Sequence, residues 1–183
     1  MTRFKIKIIV FLLLLSQLAG AQKYLRTLDL LQPTLDISLE ASKHIVEANG
    51  YIENILESLN MGKTDSSFSM SELKRIAHVT EGLITLSQLK IEKAIDMAEN
   101  ASFQANDDGF QDSEKFALMS REEFRDAAKW LYAARLELEY AQRKENLDEY
   151  MSHINSTIKK IERGSEKIRS AQENIRNSAR WLE

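Results

Sequence analysis

The stretch LDEYMSHINSTIKKIERGSEKIRSAQENIRNSARWL, residues 147–182, decides how this chain folds. Leu147, Ile154, Ile161, Ile168, Ile175 and Leu182 recur every seven residues, the repeat that keeps one stripe of a helix turned to a partner helix. The companion heptad position holds Tyr150, Thr157, Gly164, Ala171 and Ser178, mostly small residues that let a neighbouring helix approach closely. At 1.5 Å per residue such a helix reaches about 55 Å. A glycine inside it costs up to about 1 kcal/mol relative to alanine. The pattern therefore predicts an offsetting close helix crossing at Gly164 and Ala171.

The preceding segment has its own heptad, with Phe124, Leu131 and Leu138 at one position and Ala127, Ala134 and Ala141 at the other. Continuing by seven from Leu138 lands on Glu145, whereas the next stripe begins at Leu147. That jump predicts a turn over Arg143 to Asn146. One continuous bent helix is the alternative, because Lys144-Glu145-Asn146 contains neither Gly nor Pro.

Further upstream, Ser69 and Glu72 have the spacing of a capping box ahead of Leu73, Ile76, Leu83, Ile84, Ile91, Ala94, Ile95 and Ala98. Before that, Ile45, Ile52 and Leu59 share a face with Ala48 and Ile55. Pro33 suits the first turn of a helix, so this segment is expected to start there, after a short extension and a kink. Ser120 with Glu123 offers a second capping box, leaving the third helix to begin either there or at Asp112.

Helices are thus predicted over about 33–60, 70–106, 113–143 and 146–182. No stretch alternates β-branched residues with period two, so strands have no support. Short connections between long amphipathic helices imply antiparallel neighbours. The expected fold is all-α: an elongated up-down-up-down four-helix bundle with coiled-coil-like packing. The alternative is a helical hairpin completed by oligomerisation.

Residues 1–21 read as a signal peptide. Arg3, Lys5 and Lys7 form a positive start, Ile8 to Leu18 is an apolar run of 11 residues, and Ala19-Gly20-Ala21 supplies small residues for cleavage before Gln22. Eleven residues fall short of the roughly 20 that span a bilayer. Leu18-Ala19-Gly20-Ala21 resembles a bacterial lipoprotein signal, but Ala21 stands where the acylated cysteine belongs, so no covalent lipid anchor is expected. The remaining 22–183 is read as one domain in an exported compartment, periplasmic or secreted. Removing the leader's three bases and no acids takes the formal charge from -3 to -6.

Several chemistries lack their residues. A chain with no Cys has no disulfide, thiolate metal site or thiol nucleophile. The residues three before His44, His78 and His153 are Ala41, Arg75 and Tyr150, so the Glu-x-x-His pairs of di-iron bundles are missing. Glu40 with His44 and Glu149 with His153, four apart, read as surface pairs. With Gly109 at the glycine position of an EF-hand, the first ligand becomes Gln104 and the terminal bidentate ligand Lys115, which rejects that motif for the acidic loop 106–112. No Gly-x-Ser-x-Gly or P-loop occurs. An acidic exported chain is not expected to bind nucleic acid. No catalytic, cofactor or metal residues are assigned.

What remains is recognition. Phe68 and Phe110 fall in the two inferred loops and Trp181 at the end of the last helix, each a candidate partner contact whose ordinary alternative is plugging an end of the bundle. Arg163, Lys167, Arg169, Arg176 and Arg180 give the last helix a basic edge, of which Arg169, Arg176 and Arg180 are candidate contacts with an acidic partner. Membrane contact, if any, is peripheral. The expected function is that of a non-enzymatic exported protein acting through protein–protein interaction or self-association, as a bacterial envelope accessory or secreted factor. The alternative is a soluble carrier or sensor holding a small apolar ligand near Trp130, Tyr132 and Tyr140.

Overall fold

The computed structural model describes the backbone of residues 2–62 and 69–182, and side chains over 17–59 and 69–182. It contains four helices: α1 (Thr2–Gly62), α2 (Met70–Asp108), α3 (Gln111–Gln142) and α4 (Leu147–Arg180), with no strand among the described residues. They pack as an all-α four-helix bundle in the cyclic order α1, α2, α3, α4. Neighbours run antiparallel. Lys90 meets Glu40, Arg121 meets Glu99, and Lys167 meets Glu123, each joining positions at matching heights on successive helices.

The heptad residues of α3 and α4 form the core. Phe124, Leu131, Leu138, Ile154, Ile161, Ile168 and Ile175 are buried, as are Ile45, Ile52, Ile55, Ile84 and Ile91 from the other pair. Small residues make the α3–α4 seam narrow. The Ser120 hydroxyl donates to the Ala171 carbonyl at 3.1 Å, and the Ser113 and Ser178 hydroxyls lie 2.8 Å apart. A Cβ on Gly164 would stand 3.2 Å from Leu131 Cδ2 and 3.6 Å from Trp130 Cβ, so α3 crosses close to this glycine.

The helix ends differ in places from the sequence reading. α1 does not start at Pro33: it runs unbroken through that residue. Packing on both sides holds the helix across the proline, since Leu31 and Thr34 are buried and Thr27 is tied to α2. The capping box at Ser69 is not formed. Its Glu72 is drawn to Arg75, and Ser69 contributes only its backbone carbonyl. Ser120 is an interior residue of α3, not a cap, because it faces Ala171. Between α3 and α4 the chain turns over 143–146, and Asn146 caps α4 by accepting from the Asp148 and Glu149 amides. Gly109 closes α2 with φ of 89°, a left-handed conformation that glycine adopts without strain.

Candidate interaction groove

Three seams of the bundle are fastened by polar contacts and the fourth is nearly bare. Across α1–α2, Lys90 bonds Glu40 and Ser87 bonds the Ala41 carbonyl. Across α2–α3, Arg121 bonds Glu99 and Gln142 bonds Glu81. Across α3–α4, Glu137 takes both His153 and Lys160, while Lys167 reaches Glu123. Across α1–α4, a single hydrogen bond from Gln172 Nε2 to Ser42 Oγ, 3.1 Å, is the one polar link among the described residues, and no ion pair joins the two helices.

Two grooves open along this fourth seam. One, of about 330 Å³, lies between Leu39, Ser42, Val46 and Asn49 of α1 and Ser165, Arg169 and Gln172 of α4. The other, of about 220 Å³, lies between Leu28, Leu31 and Leu35 of α1 and Ile175, Arg176 and Arg180 of α4. The α1 wall is mainly apolar, with Ser42 and Asn49 among its aliphatic residues. Leu28, Leu35, Leu39 and Val46 stand at steps of seven, four and seven, which is one stripe of a helix, and Val46 is 71% exposed. The α4 wall is basic: Arg169, Arg176 and Arg180 stand at steps of seven and four, all exposed.

The five basic residues of α4 therefore divide. Arg163 stacks over the Trp130 ring at 4.7 Å and Lys167 is paired with Glu123 and Asp126, both toward α3. Arg169, Arg176 and Arg180 turn the other way and, among the described residues, have no carboxylate within salt-bridge distance. The apolar α1 wall facing them was missed by the sequence reading, although its seven-four-seven spacing was there to be found.

The aromatic candidates scatter. Phe110 is partly buried against the core and plugs the α2–α3 end, while Trp181 is 56% exposed beside buried Leu182. Phe68 lies outside the described residues. Tyr132 and Tyr140 are both about half exposed and carry Arg135 and Arg143 against their rings, while Trp130 lies at the α3–α4 edge under Arg163, so the three do not converge on an interior pocket. The acidic stretch 106–112 is not a loop: Asn106 to Asp108 close α2, Gln111 and Asp112 open α3, and only Gly109 and Phe110 lie between the helices. Asp108 accepts from Gln104 Nε2 at 2.9 Å and Thr27 Oγ1 at 3.3 Å, clasping α1 to the end of α2.

A cross-helix group of ionisable side chains lies on the α3–α4 face. Glu137 Oε2 is 2.7 Å from His153 Nδ1, its other oxygen accepts from Lys160, and Lys160 Nζ also reaches Ser156 Oγ at 2.7 Å. His153 is thus held by Glu137 from the neighbouring helix, not by Glu149. Burial alone would raise the Glu137 carboxyl, but the His153 and Lys160 contacts outweigh it and hold the carboxyl below its ordinary value of 4.5. A group depressed on folding adds stability above its unfolded value and loses it as pH falls through the folded one. Glu137→Gln should accordingly cost on the order of 1–2 kcal/mol near neutral pH. Urea titrations should show that deficit shrinking between about pH 6 and about pH 3, and a constant deficit would mean that the carboxylate charge is irrelevant there.

No family model matches the chain, and neither a curated protein nor a solved structure matches it. Among the described residues no helix is long and apolar enough to cross a membrane.

Proposed function

We propose that this chain is a non-enzymatic, exported helical-bundle protein that works by binding protein through its α1–α4 face, as an accessory or assembly component of a bacterial envelope or as a secreted factor. The observation that carries the reading is the contrast between seams. Three are locked by buried small residues and cross-helix ion pairs, whereas the fourth presents an apolar wall beside three arginines that have no carboxylate partner among the described residues. Apolar surface bordered by Arg is the composition of a protein-binding patch, since arginine both covers apolar area with its stem and bonds carboxylates bidentately. Export is supported by the basic start, apolar run and Ala19-Gly20-Ala21 of the leader.

The test places a photo-crosslinking residue at Val46 or Arg176, with Leu86 and Phe103 on the outer face of α2 as controls, in protein expressed by an exporting bacterium. A discrete protein adduct from Val46 and Arg176 but not from the α2 positions is expected. The same experiment should recover a chain starting at Gln22 by mass spectrometry. Equal labelling at all four positions, or turnover of a substrate by the monomer, would defeat the proposal.

A further inference from the structure

We propose that the occupant of the groove is the first helix of a second copy of this chain, in a two-fold dimer whose axis runs along the bundle. The inference rests on reading the α1–α4 face as the interaction surface, and it names the partner. Its source is a self-complementary pattern. Each residue of the apolar stripe on α1 is followed at once by an acid: Leu28-Asp29, Leu35-Asp36, Leu39-Glu40 and Val46-Glu47. The acids therefore repeat the stripe's spacing of seven, four and seven, and the arginines of α4 repeat its seven and four. Helix-in-groove recognition needs an amphipathic helix with an apolar stripe and a charged flank opposite in sign to the groove's wall. α1 is such a helix.

The heights also agree. Arg169 stands level with Leu39 to Asn49 on α1, and Arg176 and Arg180 stand level with Leu28 to Leu35. Glu40 and Glu47 therefore share the level of Arg169, and Asp29 and Asp36 share that of Arg176 and Arg180. Across the face the order is fixed, because Glu40 bonds Lys90 of α2 and so the acidic flank of α1 lies on the side away from α4. From one edge to the other the face reads arginines with Glu173 among them, apolar stripe, and acids with Lys43 among them, so each edge keeps its net sign.

The choice of axis follows from that order. Rotation by 180° about a line parallel to the helices keeps every height and exchanges left with right. The arginines of one copy then face the acids of the other while the two apolar stripes meet in the middle. Rotation about a line across the helices keeps left and right and would stack arginine on arginine and acid on acid. Lys43, seven residues after Asp36, stands among the acids of α1, and Asp36, Glu40 and Glu47 around it leave that flank net acidic. The contact along Leu28 to Val46 is about 27 Å long at 1.5 Å per residue, a modest interface, so dissociation constants on the order of 1–10 µM are expected.

Sedimentation equilibrium of the protein recovered from an exporting host should show a monomer–dimer equilibrium that weakens with added salt. The triple variant Arg169→Glu/Arg176→Glu/Arg180→Glu should weaken it by about 30-fold or more, with an unchanged circular dichroism spectrum. Asp29→Lys/Asp36→Lys should weaken it as well, and mixing the two variants should restore association, since each supplies the charges that the other lacks. The chain has no cysteine, so single introduced thiols report geometry directly. Leu28→Cys and Val46→Cys should each oxidise to a homodimer, because a parallel axis keeps both positions opposite their own copies. A crosswise axis could do so at one height at most. A monomer at several hundred micromolar, a dimer indifferent to the charge reversals, or crosslinking at only one of the two positions would overturn the proposal. If the monomer nevertheless captured a different protein at Val46, the second copy would be ruled out while the interaction face stood.

Discussion

Gly164→Leu should lower the melting midpoint by about 5–12 °C, the effect of a loss on the order of 2–3 kcal/mol in a domain of this size. A Cβ at this position already stands 3.2 Å from Leu131 Cδ2 and 3.4 Å from its Cγ, and leucine adds three more carbons to a seam bordered by Ser120, Ala127 and Ala171. The helices cannot separate locally without pulling the Ser120 hydroxyl from the Ala171 carbonyl and Ser113 from Ser178. Gly164→Ala should differ from the parent by less than about 1 kcal/mol, because the gain in helix propensity offsets a shift of a few tenths of an ångström at the end of a flexible leucine. Combining Gly164→Leu with Leu131→Ala exchanges large and small across the seam and should recover part of the loss. Unchanged midpoints for both single variants would mean that the crossing is loose in solution.

This prediction can be framed from sequence because a seven-residue repeat reports which residues of a helix face inward. α4 and α3 repeat large and small side chains, so their shared core and the tightness at Gly164 and Ala171 were legible, although Leu147 at the start of the stripe is exposed in the first turn of α4. The turn at 143–146 was legible for the same reason, since the stripe changes phase there. Periodicity does not report which charged residues meet across a seam. Glu149 precedes His153 by one helical turn, yet His153 is held by Glu137, a contact that exists only once α3 and α4 lie side by side at a particular height. Capping rules failed at Ser69 and Ser120 because each competes with a tertiary or local alternative: an arginine within reach of Glu72, and a neighbouring carbonyl within reach of Ser120.

The groove was half legible. Its arginines stand out as a run of bases with few acids among them, and bundle topology places the first helix beside the last. The apolar wall went unnoticed because Leu28 and Leu35 were separated by the supposed start at Pro33, which cut the stripe in two. Only when α1 is continuous do Leu28, Leu35, Leu39 and Val46 fall on one line.

Pro33→Ala should stabilise the protein by about 1–3 kcal/mol, raising the melting midpoint by several degrees. Inside a helix, proline lacks the N–H that would bond the carbonyl four residues earlier, here Asp29, and its ring crowds that carbonyl. The helix before Pro33 persists because it is held from outside. Leu31 is 1% exposed, Thr27 bonds the Asp108 carboxylate, and Lys23 bonds the Asp108 carbonyl at the far end of α2. Alanine restores the lost hydrogen bond while leaving those anchors in place, so the gain appears directly in stability. A helix that began at Pro33 would respond in the opposite sense, since proline is favoured in a first turn and stiffens the unfolded chain, and alanine there would be neutral or destabilising. Leu31→Ala supplies the complementary measurement. It should cost about 2–5 kcal/mol if the segment before the proline is part of the core, and almost nothing if that segment is a loose extension. A rise for Pro33→Ala together with a fall for Leu31→Ala requires one helix through the proline, and with it an unbroken apolar wall opposite Arg169, Arg176 and Arg180.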